Sequence, residues 1–500
     1  MHDRTPPVDT EGGHAEGSTA TGEKTASLTE RIAATPTPAV LWAVGLLVLL
    51  GVEFGAVLQT GAALVAGLGR AVPGLSPEAL DGLRSAARSV PTLLSRETIP
   101  TQGWRTGADG PWRSTFAGVE PKHAWLVRVG LIYTYAFVFL AWLWLGYRTY
   151  RRHYRRADWT PRDDVIDRLR SHRWGQFGLV IVLAFVVMAL FAPAMGPTTA
   201  DRNILNPYDH EIKYYDARTG GVETIAVGDA NLRSGSEGPS RNVGPWTYDA
   251  YGRFHPFGTL PSGKDLFTFL AEGARISLSI GVASMLISGV IGMAMATITA
   301  YYKGVVDLLV VLTSDSIKSL PLLMVLILVV VVFQGTWLAE VYDGAVLLTL
   351  VLALVNWPHL WRAVRGPALQ VAEATWIDAA RSFGQSPAVI MRKHMAPYIV
   401  GYMMVYASMS LGGVVISVAG LSFLGLGITP PTPEWGRAVS VGQPYVATAS
   451  WHISLLPGIL VTLVVTGFNA LGDGLRDAID PESEGDTADV ESTTAGGGGA

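Results

Sequence analysis

The chain has 500 residues, of which 49% are hydrophobic and only 16% charged; mean hydropathy is +0.32 and formal net charge −4. Soluble domains carry about 25% charged residues, so this deficit, joined to long apolar runs, reads as a polytopic membrane protein. The slightly acidic balance gives no argument for nucleic acid as a partner, and the lack of any cysteine excludes disulfides, thiolate-bound zinc and thiol chemistry.

Residues 1–37 are polar and rich in Thr, Glu and Gly, which predicts a disordered tail without a cleaved secretory signal. A helix needs ~20 apolar residues to cross the bilayer core. Eight segments meet that length, at roughly 39–60, 128–147, 176–196, 276–300, 308–334, 344–364, 398–424 and 452–471. The runs are continuous rather than alternating, which excludes a pore-forming β-barrel. Residues 38–175 therefore form a two-span extension with a basic linker, 176–481 a six-span core, and 482–500 a low-complexity, disordered tail ending in GGGGA.

Charge sets the orientation. The linker RTYRRHYRRADWTPRDDVIDRLRSHRW carries nine Arg between Arg148 and Arg173, and Arg381, Arg392 and Lys393 lie between the sixth and seventh spans. Short basic loops stay in the cytoplasm. Eight spans put both stretches and both termini there, and leave 197–272 outside as a polar, irregular extracytoplasmic loop. The expected location is the cell membrane, multi-pass.

Within the spans, Ser284, Ser288, Gly292 and Ala296 recur every fourth residue, the spacing of small residues that lets helices approach closely in lipid. Asp315 and Lys318 interrupt an apolar run; charges there face a partner or a wet cavity, and three residues apart they can pair with each other. They are the candidate intramembrane or pathway charges. Glu53 in the first span is read as an interfacial or helix-contact acid, and Pro321 predicts a kink.

Catalytic patterns are missing. GSTATGEKT (17–25) resembles a phosphate loop, but Glu23 intervenes where Lys must follow the second Gly, and no strand precedes it. No zinc-protease or nucleophile-elbow motif occurs. His210 and Glu211 form an adjacent pair in a polar loop, a pattern more often solvated than metal-binding. The expectation is a chain without a catalytic centre, a metal site or a cofactor of its own, driven by another subunit or by an ion gradient.

The segment VAEATWIDAARSFGQSPAVIMRKHMAPYIV between the sixth and seventh spans is the most informative. Residues 371–383 are good helix sequence, Gly384 fits a left-handed helix stop, and Ser386-Pro387 fit the start of a second helix. The prediction is a surface hairpin over 371–397, with Ala379 and Ala380 giving its first helix a small face for another protein. An ordinary surface hairpin would look the same.

This segment resembles the coupling loop of ABC importer permeases. The family pattern is Glu-Ala-Ala, three residues, Gly, then twelve residues and Pro; here Asp378-Ala379-Ala380, Gly384 and Pro397 stand at those spacings, with Asp for Glu and Ala396 for the usual Leu. LSFLGLGITPPTPEWG (421–436), LGDGLRDAIDP (471–481) and HPFGTLPSGKDLFTFLAEGARISLSIG (255–281) are similar to flanking segments of the dipeptide and oligopeptide (peptide/nickel) branch, although Leu260 and Lys264 replace an acid and an Arg. LFAPAMG (190–196) is similar to the end of its first core span. The resemblance covers 176–481.

It implies an all-α, MetI-like six-span permease core with two extra N-terminal helices. It implies a translocation pathway for dipeptides or oligopeptides shared with a second homologous permease subunit. The other expected partners are two cytoplasmic ATPase subunits that bind ATP, an extracytoplasmic substrate-binding protein and the lipid bilayer. Asp378, Ala379, Ala380, Gly384 and Pro397 are the implied ATPase-coupling residues. The same machine carrying nickel, glutathione or an oligosaccharide is the nearest alternative. An ion-gradient secondary transporter would need paired inverted repeats with broken helices, and a receptor or scaffold would need a signalling domain.

Overall fold

A computed structural model describes residues 27–55, 98–156 and 160–479, together with isolated positions between 58 and 96. The phosphate-loop-like segment, the C-terminal tail and most of the N-terminal tail lie outside the described residues.

Helix α1 (Leu28–Ala34), closed by a Ser27–Glu30 capping box, meets α2 (Pro36–Val52) at 99°. The long α3 (Pro121–His153), α4 (Pro161–Ser171) and α5 (Arg173–Leu190) follow. Beyond the segment 197–265 and its short helix α6 (Val227–Arg233) come α7 (Leu266–Tyr302), α8 (Gly304–Ser319) and α9 (Leu322–Phe333). The chain closes with α10 (Ala345–Ala372), α11 (Thr375–Ser382), α12 (Ala396–Phe423), α13 (Trp435–Gly442) and α14 (His452–Ile479). Among the described residues, six helical stretches are long and apolar enough to span a membrane, and two bent pairs bring the number to eight.

Several helices outrun their apolar windows. α7 begins at Leu266 rather than near 276, because Asp265 caps it by accepting from the Thr268 amide at 2.7 Å. The predicted kink at Pro321 is a break: α8 and α9 meet at 85°, as expected where proline has no amide to donate.

The small-residue stripe packs. Ser284, Ser288, Gly292 and Ala296 are all buried against α10; Ser288 donates to the Ala353 carbonyl at 2.9 Å, and a Cβ on Gly292 would lie 3.1 Å from the Trp361 amide nitrogen. α5 and α14 approach as closely, with Gly175 facing Gly474. α3 joins the core through Trp125, Ile132 and Ala136, which pack on Val187, Met195, Phe254 and Phe267. The fully buried Arg128 of α3 donates to the carbonyls of Ala194 and, at 2.7 Å, Ile99.

The two ends differ. α4 sits against the end of α14, where Arg168 donates to the Ala478 carbonyl at 3.1 Å and His172 meets Asp477 at 3.2 Å. The helix order puts this basic linker at the same end as the hairpin between α10 and α12. The long segment before α7 occupies the opposite end, where the Gly238 amide bonds Ser450 at 2.9 Å. That segment corrects the expectation of an irregular loop. It holds a six-residue antiparallel hairpin, β1 (Glu211–Asp216) with β2 (Gly221–Ala226), then α6, then a short pair, β3 (Thr247–Tyr248) and β4 (Phe254–His255). The fold is helical throughout its spans, with these ribbons confined to the end opposite the hairpin.

Candidate functional site, the helical hairpin

α10 stops at Ala372, two residues turn, and α11 runs from Thr375 to Ser382. Its end is closed by a Schellman motif: the Gln385 amide bonds the Ala380 carbonyl at 3.2 Å and the Gly384 amide the Arg381 carbonyl at 2.9 Å. Gly384 has φ +72°, as the sequence predicts for a helix stop. Ser386 has extended backbone and Pro387 takes the first turn, so the second helix starts where expected, although the Ser386 side chain makes no capping bond. A π-helical stretch, Ile390–Met395, then leads into α12, and Pro397 sits exposed in its first turn.

Two faces of α11 are distinct. Ile377 and Ala380 point inward, onto Ala372, Ile390 and Met395. Asp378, Ala379, Ser382 and Phe383 point outward, and Phe383 is 85% exposed. Ala379 therefore presents the small outer surface predicted for it. Ala380, 6% exposed, does not; the i, i+3 spacing from Ile377 turns it into the protein's own core. Phe383, which the motif does not single out, is the most exposed large apolar side chain of the hairpin. Its signal in the sequence is an aromatic residue immediately before the helix-stop glycine, where no core face remains for it.

The hairpin is braced against the span ends. Trp376 stacks on Tyr398 with centroids 5.5 Å apart, the Arg381 guanidinium lies 4.8 Å over the Tyr301 ring, and Lys303 bonds Glu373 at 3.0 Å. A displacement of α11 would thus be felt at the ends of α7, α10 and α12.

The candidate pathway charges behave differently from each other. Asp315 does not pair with Lys318. Its partner is Arg362 on α10, and nearer the hairpin Asp307 takes a bidentate bond from Arg365 at 2.5 and 2.9 Å. The reach of the guanidinium across two helices outcompetes the adjacent lysine because its planar fork matches a carboxylate. Arg362 lies ten residues, about 15 Å, inside α10 from Ala372 at the helical rise. Lys318 is exposed on the last turn of α8, beside the break. His210 bonds Asp201 at 3.0 Å rather than joining Glu211, and among the described residues no group of three or more His, Asp or Glu side chains is placed to hold a metal.

Residues 288–484 match the family described as binding-protein-dependent transport system inner membrane component, and residues 160–213 match the N-terminal transmembrane domain of oligopeptide transport permease C. Glutathione transport system permease proteins GsiD from Escherichia coli O157:H7 and Shigella boydii serotype 4 (strain Sb227) are each 32% identical over 326 residues, covering 65% of this chain and 92% of the relative. The chain belongs to this permease family. It is an ABC importer permease of the peptide/nickel branch, a multi-pass transporter subunit rather than an enzyme. Membership implies, in general terms, a further permease, ATPase subunits and a substrate-binding protein as company. Both family matches begin at or after residue 160, so α2 and α3 lie outside them.

Proposed function

We propose that this permease forms, with a second homologous permease subunit, the pathway for ATP-driven uptake of short peptides, glutathione included. The hairpin would be its link to two cytoplasmic ATPase subunits. In this reading the hairpin end and both termini face the cytoplasm, as the clustered Arg of the linker favours. A binding protein delivers cargo at the opposite end, and ATP binds only to the ATPase chains. For the cargo, the support is the likeness to glutathione and oligopeptide permeases, which leaves dipeptides and larger oligopeptides in the same class.

The observation that carries the coupling role is the two-faced α11. Ile377 and Ala380 fix the helix to the body, while Ala379 and Phe383 are exposed and Asp378 meets Arg381 of its own helix. A flat, small-residue face ending in an exposed aromatic fits a groove on another protein, since buried aromatic anchors dominate such contacts. Gly384 ends the helix at that anchor, and Pro397 starts the span that answers its movement.

Ala379→Trp tests this. An exposed Ala→Trp change costs the helix only tenths of a kcal/mol in propensity, so the protein should insert and accumulate normally. Co-purification of the ATPase subunits should fall at least tenfold and uptake of labelled glutathione or a tripeptide should be lost. Ala380→Trp should act differently, overpacking the core by about 1–3 kcal/mol and lowering the amount of folded protein. Full uptake by Ala379→Trp would remove the hairpin from the coupling role.

A further inference from the structure

At the end opposite the hairpin, a cavity of about 450 Å³ lies between the two-span extension and the outer segment of the family core. Its size falls within the usual range for small-molecule sites, about 300–1,000 Å³. One wall belongs to the extension. Thr101 donates to the Pro197 carbonyl at 3.0 Å, Gln102 exchanges two bonds with the Phe254 backbone at 3.2 and 3.3 Å, and Arg96 donates to the Pro193 and Thr198 carbonyls at 3.0 and 2.7 Å. These bonds seat Trp104 at the mouth, with the Lys213 ammonium 5.3 Å from its ring centroid.

The opposite wall and floor belong to the core segment. Arg253 is buried and rigid: Asp249 holds it at 2.7 Å, Asn231 at 2.7 Å and Ser234 at 3.3 Å. Asp265 is spent, bonding His255 at 2.8 Å through one oxygen and the amide and hydroxyl of Thr268 through the other. What remains on the rim is Arg202, which donates to the Glu211 carbonyl at 2.5 Å, Lys213, and the Glu211 carboxylate, which has no partner among the described residues. Burial, and then the nearby Arg253 charge, pull the Arg202 pKa below its ordinary value, so an anion beside the Arg202 guanidinium would favour its charged form.

We propose that this cavity is a binding site for a small organic acid that carries both carboxylate and ammonium groups, of the size of a short peptide. Its carboxylate meets Arg202 and Lys213, its ammonium meets Glu211, and Trp104 covers it. The polar groups converge from two directions on one space, and one of the two walls exists only because the extension is present. The extension thereby acquires a role: it completes a ligand pocket that the six-span core alone would leave open on one side. Its lining comes from residues 96–114 and 197–265, and the proposal does not depend on which cargo the permease carries.

The test is titration calorimetry on the purified full chain, which needs neither ATPase nor binding protein. Glutathione is the zwitterionic probe and succinate a probe without an ammonium. Saturable binding of glutathione, weaker binding of succinate, and at least a tenfold loss in both Arg202→Gln and Lys213→Gln are expected. Glu211→Gln should narrow the gap between the probes. Arg173→Gln, at the hairpin end, should leave both affinities unchanged. No saturable binding of either probe would overturn the proposal, and so would affinities that ignore Arg202→Gln and Lys213→Gln. Uptake that survives loss of this binding would separate the pocket from transport without touching the assignment of the hairpin.

Discussion

Two aspartate–arginine pairs, one at each end of the molecule, have nearly the same spacing in the chain and opposite meanings. Asp378 and Arg381 sit three apart on α11 at 3.2 Å, with the Asp378 side chain 68% exposed. Asp249 and Arg253 sit four apart at 2.7 Å, with the Asp249 side chain fully buried. The first pair is a solvated helix-surface contact, worth a few tenths of a kcal/mol and screened by salt. The second is part of a closed network with Asn231, Ser234, His255 and Asp265, in which each charge is held by several partners. The hairpin end is organised by helix rules and keeps its ion pairs at the surface. The loop end ties Asp249, Arg253, His255 and Asp265 to one another and to Asn231 and Ser234, and holds them by contacts between segments far apart in the chain.

The largest expected effect breaks the loop end. Asp249→Ala leaves the Arg253 guanidinium buried without its counter-charge, a change that costs about 3–5 kcal/mol. Amide hydrogen exchange over 203–265 should lose its protection while the hairpin keeps its own. Replacing Asp249 and Arg253 together by Leu and Met should recover only the part of the loss that comes from the stranded guanidinium, because Ser234, Asn231, His255 and the Tyr251 amide still lose a partner. Unchanged protection in Asp249→Ala would show that the network does not hold this end together.

A milder effect follows from pH. Burial alone would push the His255 pKa down, but its bonds to Asp249 and Asp265 outweigh that and raise it above the ordinary 6.5. Arg253 occupies the far side of Asp249 and keeps that carboxyl well below the usual carboxylate range, after opposing its burial. A histidine whose folded pKa is raised contributes its full stability below the unfolded value and loses it as pH rises through the folded one. Protection at the loop end should therefore weaken on the alkaline side of neutrality. His255→Asn should flatten that dependence, whereas a slope that persists in His255→Asn would assign it to another group.

This contrast also separates what the sequence discloses from what it conceals. The eight apolar stretches, the stop at Gly384 and the shared side of the two basic stretches are local patterns, each readable from periodicity or charge within one window. Ala380 escapes because the family motif marks it without saying which way it faces, and only Ile377 three residues earlier tells that its side is inward. Asp315 escapes because its partner, Arg362, is 47 residues away on another helix. The loop network escapes for the same reason: Asn203, Asn231 and Asp265 are scattered through turn-rich sequence that has no period, and nothing in their spacing places them together. The packing of α3 on the core through Arg128 and Trp125 is equally silent, because a buried arginine in an apolar run looks like any interfacial one.

The smallest effect sharpens the reading of the hairpin. Gly384 has a positive φ, and a Cβ built there meets no atom within 4 Å. Steric conflict is therefore absent, and the whole cost of a side chain is the left-handed backbone, about 1 kcal/mol for alanine and more for a β-branched residue. Asparagine, which visits that region readily, should cost less. ATPase co-purification should fall in the order Gly, Asn, Ala, Val, with each step small beside the loss in Ala379→Trp. The order distinguishes two roles for this glycine. If backbone geometry is what matters, the series follows left-handed preference and Asn stands close to the wild type. If instead the ATPase seats directly on the bare Cα of Gly384, every side chain blocks it, Asn fares as badly as Val, and the docking face extends past Phe383 to the turn itself.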